Sequence, residues 1–402
     1  MNTMIDKITF LGSFYPKERE REFKTNSTFF DIPGNILQWA LLEGLTALTK
    51  LNVITAPATK RFKSFFVKES VFRVGGVMCG WSVGFCDIVG FKDILVSSKI
   101  YRRLLRDKPN IIIVYSIQLK LLRAVYKYKR TNSKTKVIVI VTDLPMYMRD
   151  KKSFIYTALK KIEDKLDCKY LLSCDGFILL SEQMRDYKPL SNVKHLIIEG
   201  IYNPIIEKEI TLSEVLKSLI QSFENKKVML YSGSLSDRYG IFDLISVFFS
   251  IKNPNYRLVL CGRGLSERSK HVINLDNRIL YLGLLERKDV LFLQQNCTVL
   301  VNPRKSKEVY TQYSFPSKTM EYMVSGRPVL MSKLGSIPHD YYDYLYFFED
   351  ETFNGMKNTI VKILSKPSDE LNIMGKRAQE FIIKHKNIKT QTEKIFSFIK
   401  NL

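Results

Sequence analysis

The chain has 402 residues, 45% of them apolar and 26% charged, which allows two separate cores and excludes wholesale disorder. Lysine and arginine number 63 against 40 acidic residues, and the net charge of +23 implies an anionic partner: nucleic acid, acidic lipid or a phosphorylated ligand. Six scattered cysteines without a CxxC pair read as buried thiols of a reducing cytoplasm, and four histidines leave little material for a zinc site.

From the N-terminus, "KITFLG" (7–12) reads as a first strand, because no apolar core of leader length follows Lys7. A helix is expected over "NILQWALLEGLTALTK" (35–50), then a strand over "LNVITA" (51–56). In "KRFKSFFVKESVF" (60–72), Lys60, Arg61, Lys63 and Lys68 interleave with Phe62, Phe65 and Phe66. That mixture suits an anionic lipid surface, or else the phenylalanines are core residues of an inward-packed helix. The stretch 74–91 holds five glycines and Asp87, too interrupted for a membrane span, and reads as strand and turns. Strands follow at 110–116, 136–142 and 175–181. Between the first two, the helix 116–130 repeats the basic and aromatic mixture with Lys127, Lys129 and Arg130. Charge is densest here: from Arg102 to Lys136 eleven basic residues face only Asp107.

Asn203-Pro204, within 199–215, breaks the pattern before it restarts. Strands are expected at 227–233, 256–262, 278–283, 298–303, 327–332 and 344–349, with helices over "IFDLISVFFSI" and "RKDVLFLQQN" between them. Short, continuous β-branched runs alternating with helices are the pattern of parallel strands buried on both faces. Two such series predict an α/β fold of two doubly wound Rossmann-like domains facing across a cleft. Their expected limits are 1–200 and 201–383, with an amphipathic closing segment over 384–402.

Ligands of such sheets bind where strands end and helices begin. "YSGSLSDRYGI" places Gly233, Ser234 and Arg238 after one strand, "CGRG" places Arg263 after the next, and Arg304 follows "VLVNP". Glycine turns with cations among them suit phosphate oxygens. In "YSFPSKTMEYMVSGRPVL", Pro316 suits the first turn of a helix that Ser314 or Ser317 caps. Lys318 and Glu321 then share a face, about 4–5 Å apart along the axis. Lys318 suits a diphosphate and Glu321 the two hydroxyls of a ribose; the competing reading is an ordinary ion pair on a solvated face.

These motifs, with "ILYLGLLERKDV", resemble retaining glycosyltransferases of family 4 and the GT-B fold, which build bacterial surface polysaccharides. "VGFCDIVGFKDI" (83–94) and "VTDLPMYM" (141–148) extend the resemblance more loosely into the first half. It implies a retaining hexosyltransferase that moves a sugar from a nucleoside-diphosphate donor to a hydroxyl of a lipid-linked glycan. Donor contacts would come from Gly233, Ser234, Arg238, Arg263, Leu284 (near the base), Tyr313, Ser314, Phe315, Pro316, Ser317, Lys318 and Glu321, with Arg304 and Lys318 meeting the leaving diphosphate. Tyr313 stands where the family commonly has a second glutamate, and Ser234 and Tyr239 where it has Arg and Lys.

Asp143, after the strand 136–142, reads either as the group that orients or deprotonates the acceptor hydroxyl or as a turn-former before Leu144-Pro145. Gly34 and Asn35 are candidate sugar contacts. Without an Asp-x-Asp motif, no metal and no other cofactor are expected. The expected place of work is the cytoplasmic face of the inner membrane, on its anionic surface, without nucleic acid. Rival readings are a silent partner subunit of the same fold and a sugar-nucleotide epimerase or hydrolase.

Overall fold

The computed structural model describes residues 7–75, 78–88, 91–144, 164–191, 193–203 and 214–402. Residues 145–163 and 204–213, the second stretch beginning at Pro204, lie outside the described residues. The chain divides into two compact units, residues 1–201 with 388–402, and residues 202–387.

In the first unit the strands are β1 (Ile8–Gly12), β2 (Leu51–Thr55), β3 (Phe66–Val67), β4 (Ser70–Val74), β5 (Met78–Ser82), β6 (Phe85–Cys86), β7 (Ile111–Tyr115), β8 (Lys136–Val141), β9 (Gly176–Leu179) and β10 (Lys194–Ile197). Eight of them form one sheet in the order β10-β9-β8-β7-β1-β2-β5-β4, parallel except for the β4–β5 hairpin, while β3 and β6 pair separately as an antiparallel rung. The central strands are buried throughout because helices cover both faces: all five residues of β1 and of β7 are buried. The sheet's last strand, β4, alternates instead, with Phe72 and Val74 inward.

The stretch 60–72 is therefore not a helix but a loop leading into two short strands. Helix Ile32–Leu48 starts three residues earlier than expected because Asp31 caps it, accepting the Gly34 N–H at 3.0 Å. Helix Ile388–Lys400 belongs to this unit: Gln391 donates to the Gly200 carbonyl at 2.9 Å, and Ile395 and Ile399 are buried in the same core as Leu41 and Leu45.

The second unit has β11 (Lys227–Ser234), β12 (Tyr256–Arg263), β13 (Ile279–Tyr281), β14 (Val299–Asn302), β15 (Val329–Met331) and β16 (Tyr346–Phe347). All six are parallel, in the order β13-β12-β11-β14-β15-β16. This is the doubly wound Rossmann order, in which the chain runs outward from β11 one way and from β14 the other. Helix Ile241–Ser250 buries Leu244, Ile245, Val247 and Phe248 in that unit's core. Of the cysteines, Cys261 and Cys297 are buried, whereas Cys79 is exposed, so the expectation of uniformly buried thiols does not hold.

Candidate functional site

At the carboxyl ends of β11, β12 and β13 lies a cavity of about 340 Å3, lined by Ser232, Gly233, Ser234, Cys261, Gly262, Arg263, Leu284, Leu285, Val290 and Lys318. Doubly wound sheets offer a ligand crevice at this edge. The two glycines are not turn residues but the last rung but one of their strands, Gly233 opposite Gly262. Their φ angles are 149° and 142°, and a Cβ on Gly262 would stand 1.7 Å from the Gly233 carbonyl oxygen. Only glycine at 262 lets the two strand ends come this close, which keeps the floor of the cavity backbone.

Helix Ser317–Val324 delivers the charged groups. Its N-cap is Pro316 and no side chain caps it, so neither Ser314 nor Ser317 acts as expected; Ser317 is the first helical residue, and the Ser314 carbonyl accepts from Ser336. Tyr322 pins the helix to β11: its hydroxyl donates to the Ser232 carbonyl and accepts the Ser232 N–H, both at 2.9 Å. Lys318, one turn before Tyr322, and Glu321, three residues after Lys318, are thereby set beside the strand end.

Lys318 Nζ lies 3.1 Å from Glu321 Oε1. Glu321 Oε1 also accepts from Gln294 Nε2 at 2.9 Å, and Arg287 stands 3.9 Å from Oε2. Burial alone would raise this carboxyl's pKa; Lys318, the Gln294 hydrogen bond and Arg287 outweigh it and hold Glu321 below the usual range. The pair is thus no ordinary surface ion pair, since Lys318 also lines the cavity. Glu321 is not among the lining residues and meets the cavity through Lys318. Cys261 contributes an inert wall, its thiol pushed up to about 12 by burial.

Sequence reasoning missed Gln294. It is fully buried on helix Arg287–Asn296, donates to both Ser232 Oγ (3.0 Å) and Glu321, and so ties the strand end to the carboxylate. An amide next to a second one in "LQQN" carries no signal of burial.

The remaining predicted donor residues stand elsewhere in this unit. Phe315 and Pro316 are buried, Phe315 packing on Tyr341 at 5.6 Å. Tyr313 ends the short helix Val309–Tyr313. Arg304 lies over the Tyr239 ring (5.0 Å) and Arg238 over the Tyr310 ring (4.4 Å), with the two rings 6.2 Å apart. Two guanidiniums on tyrosine faces form a cation–π cluster. It adjoins the cavity through Tyr231, whose hydroxyl donates to the Ser234 carbonyl and whose pKa burial pushes up to about 12, with Arg304 opposing the rise.

In the first unit, Asp143 follows β8. Burial pushes its carboxyl up to about 6, and the negative charge of Asp31 adds to this. Gly34 and Asn35 brace the loop after β1: the Gly34 amide is engaged by Asp31, and Asn35, itself buried, accepts the Tyr15 N–H at 3.0 Å. Lys120, also missed from sequence, is buried near the same edge with its Nζ 3.3 Å from the Ala56 carbonyl, and burial lowers it to about 8.

Of the expected lipid-facing residues, Arg61, Lys63, Phe65 and Phe66 are exposed, but Phe62 is 3% exposed and packs on Phe23 at 5.7 Å. Lys127 and Arg130 are exposed, while Lys129 is bound to Asp175 and to the Ser173 carbonyl. Among the described residues no group of three His, Cys, Asp or Glu side chains could hold a metal, and no helix is long and apolar enough to cross a membrane.

Two doubly wound parallel sheets, one with a cavity at its carboxyl edge, define a fold of the GT-B type. Residues 215–401 match the family model described as "Glycosyl transferases group 1". Solved structures with this fold include sucrose-phosphate synthase from Thermosynechococcus elongatus (TM-score 0.69, 15% identity, 98% of each chain covered). HepE from Anabaena, in complex with UDP, has a TM-score of 0.64 at 15% identity over 98% of this chain and 100% of that one. An α,α-trehalose 6-phosphate synthase from Burkholderia multivorans has a TM-score of 0.67 at 11% identity, covering 99% of each chain. In sequence, the chain is 30% identical over 138 residues to the uncharacterized glycosyltransferase YqgM of Bacillus subtilis (strain 168), a match covering 33% of this chain and 36% of that protein.

Proposed function

We propose that the chain is a retaining glycosyltransferase that moves a hexose from a nucleoside-diphosphate donor to a hydroxyl of a lipid-linked glycan in surface polysaccharide synthesis. The observation that carries this is the make-up of the cavity. One part of its lining is cationic and backbone (Lys318, Arg263, Gly233, Gly262), the other apolar (Leu284, Leu285, Val290). A diphosphate suits the first and a flat base the second. The ionised Glu321 beside Lys318 supplies the acceptor for a ribose diol. The group 1 glycosyl transferase match and the UDP and UDP-glucose complexes of HepE support the same donor class.

In this reading Lys318 and the strand-end amides take up the negative charge that grows on the leaving diphosphate, with Arg304 beside them and without a metal ion. Asp143, half-protonated near pH 6, orients the acceptor hydroxyl. The acceptor oxygen bonds to the anomeric carbon on the face from which the diphosphate leaves, and the departing diphosphate takes the hydroxyl's proton, so configuration is retained. A net charge of +23 favours work at the anionic inner face of a membrane, where a lipid-borne acceptor resides.

The test is release of nucleoside diphosphate from a panel of sugar nucleotides, with and without extracted lipid-linked glycans. Release that depends on the lipid and transfers label to it supports the proposal. Lipid-independent turnover would instead favour an epimerase or hydrolase, and no turnover with any donor a silent subunit.

A further inference from the structure

Three segments of the first unit are tied into one surface. Thr28 N–H donates to the Lys60 carbonyl (3.0 Å) and Lys63 N–H to that of Asn26 (2.9 Å). Phe62 N–H donates to Asp87 Oδ2 (2.8 Å) and Asp87 N–H to the Phe65 carbonyl (2.7 Å). Lys92 Nζ closes the knot on Asp87 Oδ1 and the Thr59 carbonyl, both at 2.8 Å, and Phe66 pairs with Cys86 across the β3–β6 rung.

This knot presents large apolar side chains to solvent. Phe65 and Phe66 are each 64% exposed, Phe91 67%, Ile94 51%, Ile88 49% and Leu95 44%. Phe91, Ile94 and Leu95 are spaced three and four apart at the start of helix Lys92–Asp107, so they share one face. The loop is shaped for this exposure. Arg61 and Phe65 adopt left-handed backbone angles (φ 51° and 56°) rare for non-glycine residues, one on each side of the buried Phe62. Lys60, Arg61, Lys63 and Lys68 are exposed around it. Of the acids nearby, Asp87 is paired with Lys92 and Glu69 lies 3.7 Å from Lys99, which leaves Asp93 as the remaining counter-charge among the described residues of these segments.

We infer that this three-segment knot is the surface by which the protein docks on an anionic phospholipid bilayer. An exposed apolar cluster of this size, ringed by lysines, matches both parts of interfacial lipid binding: side chains that enter the acyl boundary and cations that meet the headgroups. Nucleic acid fits less well, because half of the exposed apolar side chains, Ile88, Ile94 and Leu95, are aliphatic and give no face on which bases stack. Helix Leu119–Thr131, for all its charge, is not part of the surface: Leu121, Leu122, Val125 and Tyr128 are buried and Lys129 is held by Asp175. The inference rests on the lipid-borne acceptor of the proposed function.

The experiment is co-sedimentation of the full chain with vesicles of phosphatidylcholine alone and of phosphatidylcholine mixed with phosphatidylglycerol. Nucleotide binding and thermal midpoint are measured in parallel. The wild type should sediment with the mixed vesicles and not with the neutral ones. Phe65→Ser with Phe66→Ser and Phe91→Ser should lower the partition about tenfold or more, with nucleotide binding and midpoint unchanged. Should that triple variant melt early, Lys60→Gln with Lys63→Gln, at exposed positions, should lower it several-fold instead. Wild-type protein that binds nucleotide yet ignores anionic vesicles would overturn the docking surface and leave the transferase reading intact. Vesicle binding unaffected by either variant, or oligonucleotide binding lost in the same variants, would also overturn it.

Discussion

The carboxyl edges of the two sheets shift their ionisable groups in opposite directions. In the second unit the edge keeps its charges: Glu321 is held ionised by Lys318, Gln294 and Arg287, and Lys318 faces the cavity. In the first unit burial drives groups toward neutrality, with Asp143 up to about 6 and Lys120 down to about 8. The contrast lies in partners. Glu321 has two charge-assisted hydrogen bonds, whereas Asp143 has the negative Asp31 as its neighbour. An edge that holds fixed charge suits recognition of a charged nucleotide; an edge poised to exchange protons suits a neutral hydroxyl.

The largest effect should come from Gly262→Ala. A Cβ there meets the Gly233 carbonyl oxygen at 1.7 Å, so the ends of β11 and β12 must part. We expect about 3–5 kcal/mol of lost stability, measured by denaturant unfolding, together with loss of nucleotide binding. Next comes Lys318→Ala, which removes the cavity's half-buried cation and leaves Glu321 without its main partner. Titration calorimetry should show nucleoside-diphosphate affinity down by about 10- to 100-fold.

Asp143 tests the other edge. Its folded pKa is raised, so the native state binds more protons than the unfolded chain between about pH 4 and 6, and the ionised group costs stability above that window. Asp143→Asn should therefore raise the thermal midpoint at pH 7–8, by at most about 3 kcal/mol of stability, with the gain vanishing as pH falls below about 4. A gain that persists at low pH would mean that the charge is not its source.

Gln294→Leu should act more gently. Without its hydrogen bond the Glu321 carboxyl loses part of what depresses its pKa, so donor binding should weaken by about threefold to tenfold at neutral pH. The loss should deepen as pH falls toward 5, whereas wild-type binding holds there because the Glu321 pKa is lowered. Uniform weakening at every pH would assign Gln294 to packing alone.

Much of this architecture was legible in the chain. "IIIVY" and "KVIVIV" can be little but strands buried on both faces, and the restart of that pattern at Lys227 marks the second sheet. The place of Lys318 was legible too, because the Pro-Ser turn before it opens a helix near strand ends. The strands between 66 and 86 were legible only in part, as strand and turns over 74–91. They are two to five residues long, and Gly80, which looks like a turn, is required within β5 because a Cβ would strike the Phe72 ring at 2.3 Å. Nor does spacing separate the buried Phe62 from the exposed Phe65 and Phe66; the two left-handed residues that turn the chain there decide it. The caps of helix Ser317–Val324 were misread because two serines flank the proline, yet the proline itself holds the capping position.

The most direct test of the donor site is the thermal midpoint of the wild type, Lys318→Ala and Glu321→Ala against a panel of nucleoside diphosphates and sugar nucleotides. At a hundred times its dissociation constant a true ligand adds about 2.7 kcal/mol of stability. A clear upward shift for one donor, absent in both variants, is the predicted result. A flat midpoint for every nucleotide, or a shift that both variants retain, would contradict a nucleotide site built on Lys318 and Glu321.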